Sequence, residues 1–196
     1  MSERTLEPED EARAAVYGLV ARLFYAAPDQ NLLGQILNAN LFDDAASDAA
    51  RAWRELVEAS RSAFPVVLEN EHTELFVGTG KAEVTPYLTH YTIKYATDNP
   101  LVELRQQLSR WGLGRRDEAN EPEDHISGTC EAMRFAIAVQ HRPEDEQKAF
   151  FGRFLHPGAT AFCDAVSASP KAVFYRIVAR FAHAFFEMER EAFDRL

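Results

Sequence analysis

The last predicted helix carries the hydrophobic pattern that most constrains how this chain can fold. Between residues 170 and 193, large apolar side chains recur every three or four positions: Phe174, Ile177, Phe181, Phe185 and Met188. This spacing places them along one face of an α-helix. Because a single amphipathic helix is not stable alone, the pattern requires other elements that cover this face.

The same helical spacing recurs through most of the remaining sequence. In EARAAVYGLVARLFYAAP, residues 11–28, apolar residues share one face and Pro28 marks the stop. Further helices are predicted at 32–37, 45–62, 65–77, 99–111, 122–140, 144–155 and 157–168. The sequence therefore predicts an all-α fold, a single globular domain of eight or nine helices over residues 1–196, with a sub-boundary at the 112–121 linker.

Two stretches lack the helical period. KAEVTPYLTHYTIKYAT, residues 81–97, is rich in Tyr and Thr, and an isolated strand there would have no partner strand. We expect an ordered, aromatic-rich loop, while the 112–121 linker is polar and charged. Functional residues on a helical scaffold concentrate at such interruptions.

The net charge of −10 bears on the partners of the protein. An acidic surface repels phosphate groups and anionic lipids, which argues against nucleic-acid and membrane binding and favours cationic partners. The N-terminal residues are charged from position 3 and include no apolar signal region. We therefore expect a cytoplasmic protein.

The stretch EPEDHISGTCEAM, residues 121–133, allows two interpretations. Glu121, Pro122 and Glu123 suit the first turn of a helix, where acids and proline are favoured. That interpretation does not explain the neighbouring pair Asp124–His125, which could receive a guanidinium group or a backbone segment.

The aromatic loop also allows two interpretations. Pro86, Tyr87, Tyr91 and Tyr95 supply rigid amphipathic surface of the kind that binds peptides. Alternatively, the loop packs its own aromatic rings onto the helices.

A helical metal-binding enzyme is one alternative class, and a generic protein-interaction module is another. A di-iron bundle needs two Glu-x-x-His pairs, but only Glu69 and His72 form one. His183 and Glu187 are predicted to form a surface pair. No nucleophile or phosphate-loop motif is present, so we expect no catalytic residue, no metal site and no cofactor.

Four segments in order resemble a known family. These are LVARLFYAAPDQNLLGQIL at 19–37, ENEHTELFVGTG at 69–80, VTPYLTHY at 84–91, and EPEDHISGTCEAM at 121–133. Together they resemble the TorD/DmsD/NarJ-type chaperones, which are cytoplasmic maturation proteins for molybdoenzymes. The resemblance implies a TorD-like helical fold and a binding protein that is not an enzyme.

The resemblance also implies partners and a binding region. The expected partners are the apo catalytic subunit of a molybdenum-cofactor oxidoreductase and its twin-arginine leader peptide. The client-binding region of the family falls on Glu71, Leu75, Phe76, Pro86, Tyr87, Tyr91, Glu121, Pro122, Asp124 and His125. Within this set we expect Leu75 and Phe76 to support the core, Asp124 and His125 to form the polar centre, and Tyr87 and Tyr91 to supply an apolar wall. We expect the client-binding groove to lie between the 64–77 helix, the 81–97 loop and the 121–125 turn.

The sequence departs from the family pattern at several of these positions. His72 and Glu74 replace Tyr and Arg, and Gly158 takes the position of a usual Trp. Because of these changes, the sequence does not identify the client protein. The 112–121 linker would let helices exchange between two copies, so both a monomer and a domain-swapped dimer stay open.

Overall fold

The computed structural model describes residues 6–42, 46–78, 82–95, 97–114 and 121–196. The helices are α1 (Pro8–Tyr25), α2 (Gln30–Asn38), α3 (Asp48–Arg61), α4 (Pro65–His72), α5 (Thr89–Thr92), α6 (Pro100–Arg110), α7 (Ile126–Ala138), α8 (Glu144–Phe150), α9 (His156–Ala168) and α10 (Phe174–Asp194). Within the described ranges, the only strand-like pairing is one antiparallel bridge between Tyr87 and His125. The predicted all-α fold is confirmed.

The predicted apolar face of α10 lies at the centre of the core. Phe181 and Phe185 are completely buried, and the helix packs against α9 and α3. Tyr17 of α1 contacts Phe185 edge to face, with ring centroids 4.8 Å apart. On its other side α1 packs along α7, so the pair α1–α7 and the pair α9–α10 share one aromatic core.

Two of the helices continue through a wider, π-helical turn. Residues Thr73–Val77 extend α4, and Phe151–Leu155 join α8 to α9. The predicted break between 155 and 157 is therefore wrong, because the chain stays helical from Glu144 to Ala168. The N–H of His156 bonds to the carbonyl of Phe151, and Pro157 then occupies the first turn of α9, where a missing N–H is tolerated.

The sequence predicts that Gly78 and Gly80 end the 65–77 helix, and the end of α4 follows this prediction at Gly78. Gly78 adopts φ 65°, a left-handed conformation that favours glycine, and the helix stops there. Gly80 lies outside the described residues. In its described part, residues 82–95, the following loop contains one helical turn, α5, and is otherwise irregular, as the sequence predicts.

A buried ion pair fixes α1 to α10. Arg13 donates to both carboxylate oxygens of Glu189, at 2.9 and 3.0 Å, and the Tyr17 hydroxyl donates to the same carboxylate at 2.9 Å. Glu189 is only 2% exposed. Burial and the neighbouring Glu189 charge raise the pKa of Tyr17 far above its ordinary value, so this hydroxyl stays a donor.

Polar pairs between α9 and α10 correct one further prediction. His183 and Glu187 do not pair with each other: His183 lies 3.7 Å from Asp164, and Glu187 lies 2.7 Å from His156. The reason is that α9 presents its own partners to both side chains. None of the helices described here is both long and apolar enough to cross a membrane.

Candidate functional site

The 121–125 turn is joined to the aromatic loop by backbone hydrogen bonds. The Leu88 N–H donates to the Asp124 carbonyl at 2.8 Å, and the Ile126 N–H donates to the Pro86 carbonyl at 2.9 Å. These two bonds form the bridge between Tyr87 and His125. The aromatic loop, which lacks a helical period in the sequence, is therefore joined to the residues that follow the 112–121 linker.

Gly158 explains why the loop sits so close to α9. A Cβ atom at this position would lie 2.7 Å from both the Cβ and the carbonyl oxygen of Leu88, which is closer than real contacts allow. The loop consequently packs backbone to backbone on α9. Gly158, a departure from the family pattern, thus lets the loop lie directly against α9.

Helix α7 begins later than the sequence predicts. It starts at Ile126, and the Nδ1 atom of His125 accepts a hydrogen bond from the Ser127 N–H at 3.1 Å. Pro122 and Glu123 stand before the helix, so the prediction of a helix start at 122 is wrong. The imidazole cap together with the loop bridge holds residues 121–125 out of the helix.

Asp124 is a buried acid whose hydrogen bonds are incomplete. The residue is 2% exposed, and the Thr89 hydroxyl donates a hydrogen bond to its Oδ2 atom. Among the described residues, nothing donates to the buried Oδ1 atom. Because buried polar atoms almost always have partners, this oxygen marks an acceptor that is available to a ligand or a water molecule.

His125 is neutral near pH 7 in this environment. The residue is 6% exposed, and burial lowers the pKa of the imidazole below its ordinary value, against the weaker opposite effects of Glu121 and Asp124. Because Nδ1 accepts from the Ser127 N–H, the proton of the neutral ring lies on Nε2. The ring therefore offers an N–H donor beside two carboxylates.

Two of the three loop tyrosines, Tyr87 and Tyr91, are occupied by internal contacts. The Tyr87 hydroxyl donates to Glu121 Oε2 at 2.8 Å, and this bond raises the pKa of Tyr87 to about 12. Its ring meets His125 edge to face at 5.9 Å. The Tyr91 hydroxyl donates to the Thr85 carbonyl at 2.8 Å, and burial raises the pKa of Tyr91 to about 12.

An open cavity of about 740 Å³ borders the turn. We call it the α1–α7 cavity. Its apolar lining comes from Ala21, Tyr25, Ala26, Ala27, Leu32, Leu108, Leu113, Pro122, Ala132 and Phe135. Its charged lining comes from Arg22, Asp29, Glu121, Glu123, Glu131 and Arg134. The cavity lies between α1, α2, α6, α7 and the turn, and no described residue of the 64–77 helix or of the aromatic loop lines it.

The structure divides the ten predicted residues into three groups. Glu121, Pro122 and His125 line the cavity, while Asp124, Tyr87 and Pro86 adjoin it through the bridged turn. Leu75 and Phe76 are buried, 0% and 7% exposed, and belong to the core as expected. Tyr91 packs on the core with its ring 6.3 Å from Phe162.

Glu71 is separated from the turn and has a structural partner. Its carboxylate accepts the N–H groups of Val173 and Tyr175 at 2.8 Å, and that of Phe174 at 3.2 Å. These are the unpaired donors at the start of α10. Glu71 therefore caps the central helix and is not among the groups near the cavity.

Several lining residues were missed from the sequence. Tyr25 lies on α1, Phe135 lies on α7 and Leu113 follows the end of α6, and only packing brings them to one cavity. One signal was available, because Tyr25 is an aromatic residue just before the predicted stop of α1 and is 67% exposed. Among the residues with described positions, no three His, Cys, Asp or Glu side chains are placed to hold a metal ion.

Comparisons with known proteins place this fold and turn in a family. Residues 42–164, more than half of the chain, match the nitrate reductase delta subunit family. "Chaperone protein TorD" from Vibrio cholerae is 24% identical over 207 residues, covering 95% of this chain and 94% of that protein. "Chaperone protein TorD" from Shewanella loihica is 27% identical over 203 residues, covering 94% of each chain.

A solved structure agrees at the level of the fold. An Archaeoglobus fulgidus protein assigned as a redox enzyme maturation protein superposes with a TM-score of 0.51. The two are 18% identical, and the match covers 96% of this chain and 98% of the other. The family resemblance drawn from the four sequence motifs is confirmed: the chain belongs to the nitrate reductase delta subunit family, to which TorD-type proteins are related.

Proposed function

We propose that this protein is a dedicated cytoplasmic chaperone for a molybdenum-cofactor oxidoreductase. In this role it binds the apo catalytic subunit, its twin-arginine leader peptide, or both, and assists maturation before export. The observation that carries the proposal is the 121–125 turn, where a buried acid with a spare acceptor and a neutral histidine adjoin an open cavity. The names of the TorD relatives support the chaperone role.

The turn suits a guanidinium group because it offers carboxylates at two depths. Glu121 is half-buried and lines the cavity, with one oxygen engaged by Tyr87. Asp124 lies behind it, fully buried, with Oδ1 unpaired. An arginine that enters from the cavity meets Glu121 first, because Glu121 lines the cavity and Asp124 does not. Contact with the buried Oδ1 atom of Asp124 then requires a side chain of the turn to move. Charge-assisted bonds between guanidinium and carboxylate groups are among the stronger hydrogen bonds in proteins.

The remaining groups of the turn would fix the geometry of binding. His125 holds the start of α7 through Nδ1, so its Nε2–H faces a defined direction and can donate to a peptide carbonyl. Pro122 stiffens the turn beside the cavity. The protein would bind its client in the cytoplasm as a single domain. Both a monomer and a dimer formed by helix exchange through the 112–121 linker are compatible with this role.

The test is recovery of the client from the source cells. Tagged wild-type protein and an Asp124→Ala/His125→Ala variant are purified after anaerobic growth, and co-purifying proteins are identified by mass spectrometry. We expect the wild type to recover a redox-enzyme catalytic subunit that still carries its leader, and the variant to lose it. The matched control is Glu144→Ala/Asp145→Ala, which removes exposed charges at the start of α8.

Two results would contradict the proposal. If the control and the turn variant recover the same subunit equally well, the turn does not bind the client. If wild-type protein recovers partners with no preference for a leader-bearing subunit, the protein is a general interaction module. Circular dichroism of each variant shows whether a lost partner reflects lost folding.

A further inference from the structure

We infer that the α1–α7 cavity receives the apolar part of the client segment, with the basic end of that segment held at the 121–125 turn. This inference rests on the proposed function and names where each half of the ligand binds. The apolar contact with the client is thereby assigned to α1, with Tyr25 as its exposed anchor, and not to Tyr87 and Tyr91.

Tyr87 and Tyr91 are poor candidates for the apolar wall because their contacts are already made. Both hydroxyls are bonded within the protein, at 2.8 Å, and neither residue lines the cavity. Binding a peptide on Tyr91 would also disturb its packing on Phe162. Tyr25, by contrast, is 67% exposed at the end of α1 and borders the cavity directly. Exposed tyrosines beside an apolar depression are frequent anchors for peptides.

The size and lining of the cavity fit a short run of aliphatic side chains. Its volume of about 740 Å³ lies in the range of ligand-binding cavities in proteins. Small side chains such as Ala21, Ala26 and Ala132 leave this space open, and Leu108 and Phe135 give it apolar walls. An apolar segment would therefore gain burial that the free protein leaves unfilled.

The charged residues along the cavity indicate the orientation in which the client segment binds. Glu121 lies at the turn that precedes α7, beside Glu123, which is paired with Arg105 at 2.9 Å, whereas Arg134 lies on α7 itself. With a rise of about 1.5 Å per residue, Arg134 is about 12 Å along the helix from its start at Ile126. A basic group is favoured at the carboxylate end, whereas the other end is close to neutral because Arg134 is paired with Glu131. The apolar part therefore extends from the turn towards Arg134.

The cavity arginines are held in place by neighbours. Arg22 donates to Gln35 at 2.7 Å, and Arg134 donates to Glu131 at 2.8 Å. The stem of Arg134 passes over α1 at Gly18, where a Cβ atom would lie 2.9 Å from its Cδ. These contacts keep both guanidinium groups at the side of the cavity, which leaves its apolar floor accessible.

The experiment uses two synthetic peptides with the same paired-arginine head. One head is followed by a Leu/Ala tail and the other by a Ser/Gly/Asn tail, and binding is measured by fluorescence anisotropy. The cavity is blocked by Ala26→Phe, at an exposed position with extended backbone, and the anchor is removed by Tyr25→Ala. Val139→Ala is the control, because Val139 is 51% exposed and does not line the cavity.

We expect blocking to remove the advantage of the apolar tail. Wild type should bind the Leu/Ala peptide about tenfold more tightly than the polar-tail peptide. Ala26→Phe should weaken the Leu/Ala peptide to that lower level and leave the polar-tail peptide unchanged, and Tyr25→Ala should act in the same direction. Val139→Ala should change neither affinity.

The outcomes separate this inference from the proposed function. If wild type binds the Leu/Ala peptide and Ala26→Phe binds it equally well, the cavity is not the apolar site, while leader binding stands. If Ala26→Phe weakens both peptides alike, the cavity does not discriminate the tail and the inference is again wrong. If wild type binds neither peptide, leader binding itself fails, and the inference fails with it. Thermal unfolding of each variant confirms that it is folded.

Discussion

The ends of α10 and the 121–125 turn use buried or half-buried carboxylates in opposite ways. At α10, Glu71 accepts three backbone N–H groups, and Glu189 accepts from Arg13 and Tyr17. At the turn, Asp124 is as deeply buried as Glu189 but has one oxygen without a donor in the described protein. The comparison teaches that burial alone does not separate structural acids from binding acids, whereas an account of hydrogen-bond partners does.

The same comparison separates two residues that the family resemblance placed in one group. Glu71 and Asp124 both belong to the carried-over client-binding set. The structure gives Glu71 the role of a helix cap and gives Asp124 an unused acceptor. We therefore propose Asp124, and not Glu71, as a ligand-binding acid.

The largest effect is expected at the buried ion pair. Glu189→Ala leaves Arg13 half-buried without its bidentate partner, and loss of one member of a buried pair costs about 3–5 kcal/mol of unfolding free energy. Urea unfolding followed by circular dichroism measures this change. Glu191→Ala, an exposed acid on the same helix, is the control and should change stability little. A loss at Glu189 no larger than that of the control would show that the pair contributes nothing.

A smaller loss of stability is expected at the other end of α10. Glu71→Ala removes the acceptor for three N–H groups, and loss of a helix cap costs about 1–2 kcal/mol. Glu69→Ala, which changes an exposed acid on the same helix, is the matched control. The measurement is again urea unfolding. Client recovery by Glu71→Ala should remain at the wild-type level under conditions where the variant is folded, and a selective loss of client would return Glu71 to the binding site.

At the turn, a substitution is expected to weaken peptide binding more than it lowers stability, the opposite of the effects at α10. Asp124→Asn keeps an acceptor for the Thr89 hydroxyl, so stability should change by less than about 1 kcal/mol. The lost charge should weaken binding of the paired-arginine peptide by about tenfold, since bonds to charged groups contribute about 1.5–3 kcal/mol. Anisotropy and urea unfolding on the same samples measure both quantities, with Asp145→Asn at an exposed position as control. Unfolding of Asp124→Asn with unaltered peptide affinity would make Asp124 a structural residue.

The smallest effect is the pH dependence of the turn. Burial lowers the pKa of His125 below the unfolded value of about 6.5. The folded state therefore binds fewer protons than the unfolded state. The contribution of His125 to stability is complete above about pH 6.5 and is lost as pH falls towards the lowered pKa. Protonation also removes the Nδ1 lone pair that caps α7.

His125→Asn tests this, because the amide oxygen can replace Nδ1 as the cap acceptor without titrating. Below about pH 6.5, the variant should lose less stability than wild type, as measured by thermal unfolding across pH. Burial also lowers the pKa of His72, so His72→Asn is examined in parallel to separate the two histidines. Identical pH profiles for wild type and His125→Asn would mean that His125 is not neutralised by folding.

The spacing of apolar residues was sufficient to predict the helices, because residues at every third or fourth position share one face in an α-helix. It identified the face of α10, the stop at Gly78 and the irregular loop after it. It also selected the turn at 121–125 as a place where an acid and a histidine need explanation. The errors in helix bounds were at the start of α7, which is Ile126, and between α8 and α9, where the helix continues. In both places a tertiary contact or a π-helical turn decided between local alternatives of similar energy.

The sequence by itself determined an acidic, all-helical chain of the TorD-type family with a polar turn after its linker. Only the tertiary structure decided what that turn adjoins. The cavity joins residues of α1, α2, α6 and α7 that are far apart in the chain, and no local pattern encodes their meeting. Tertiary packing also gave Glu71 to the start of α10 and left Asp124 without a donor, because hydrogen-bond partners across a fold are set by distances that a sequence does not contain.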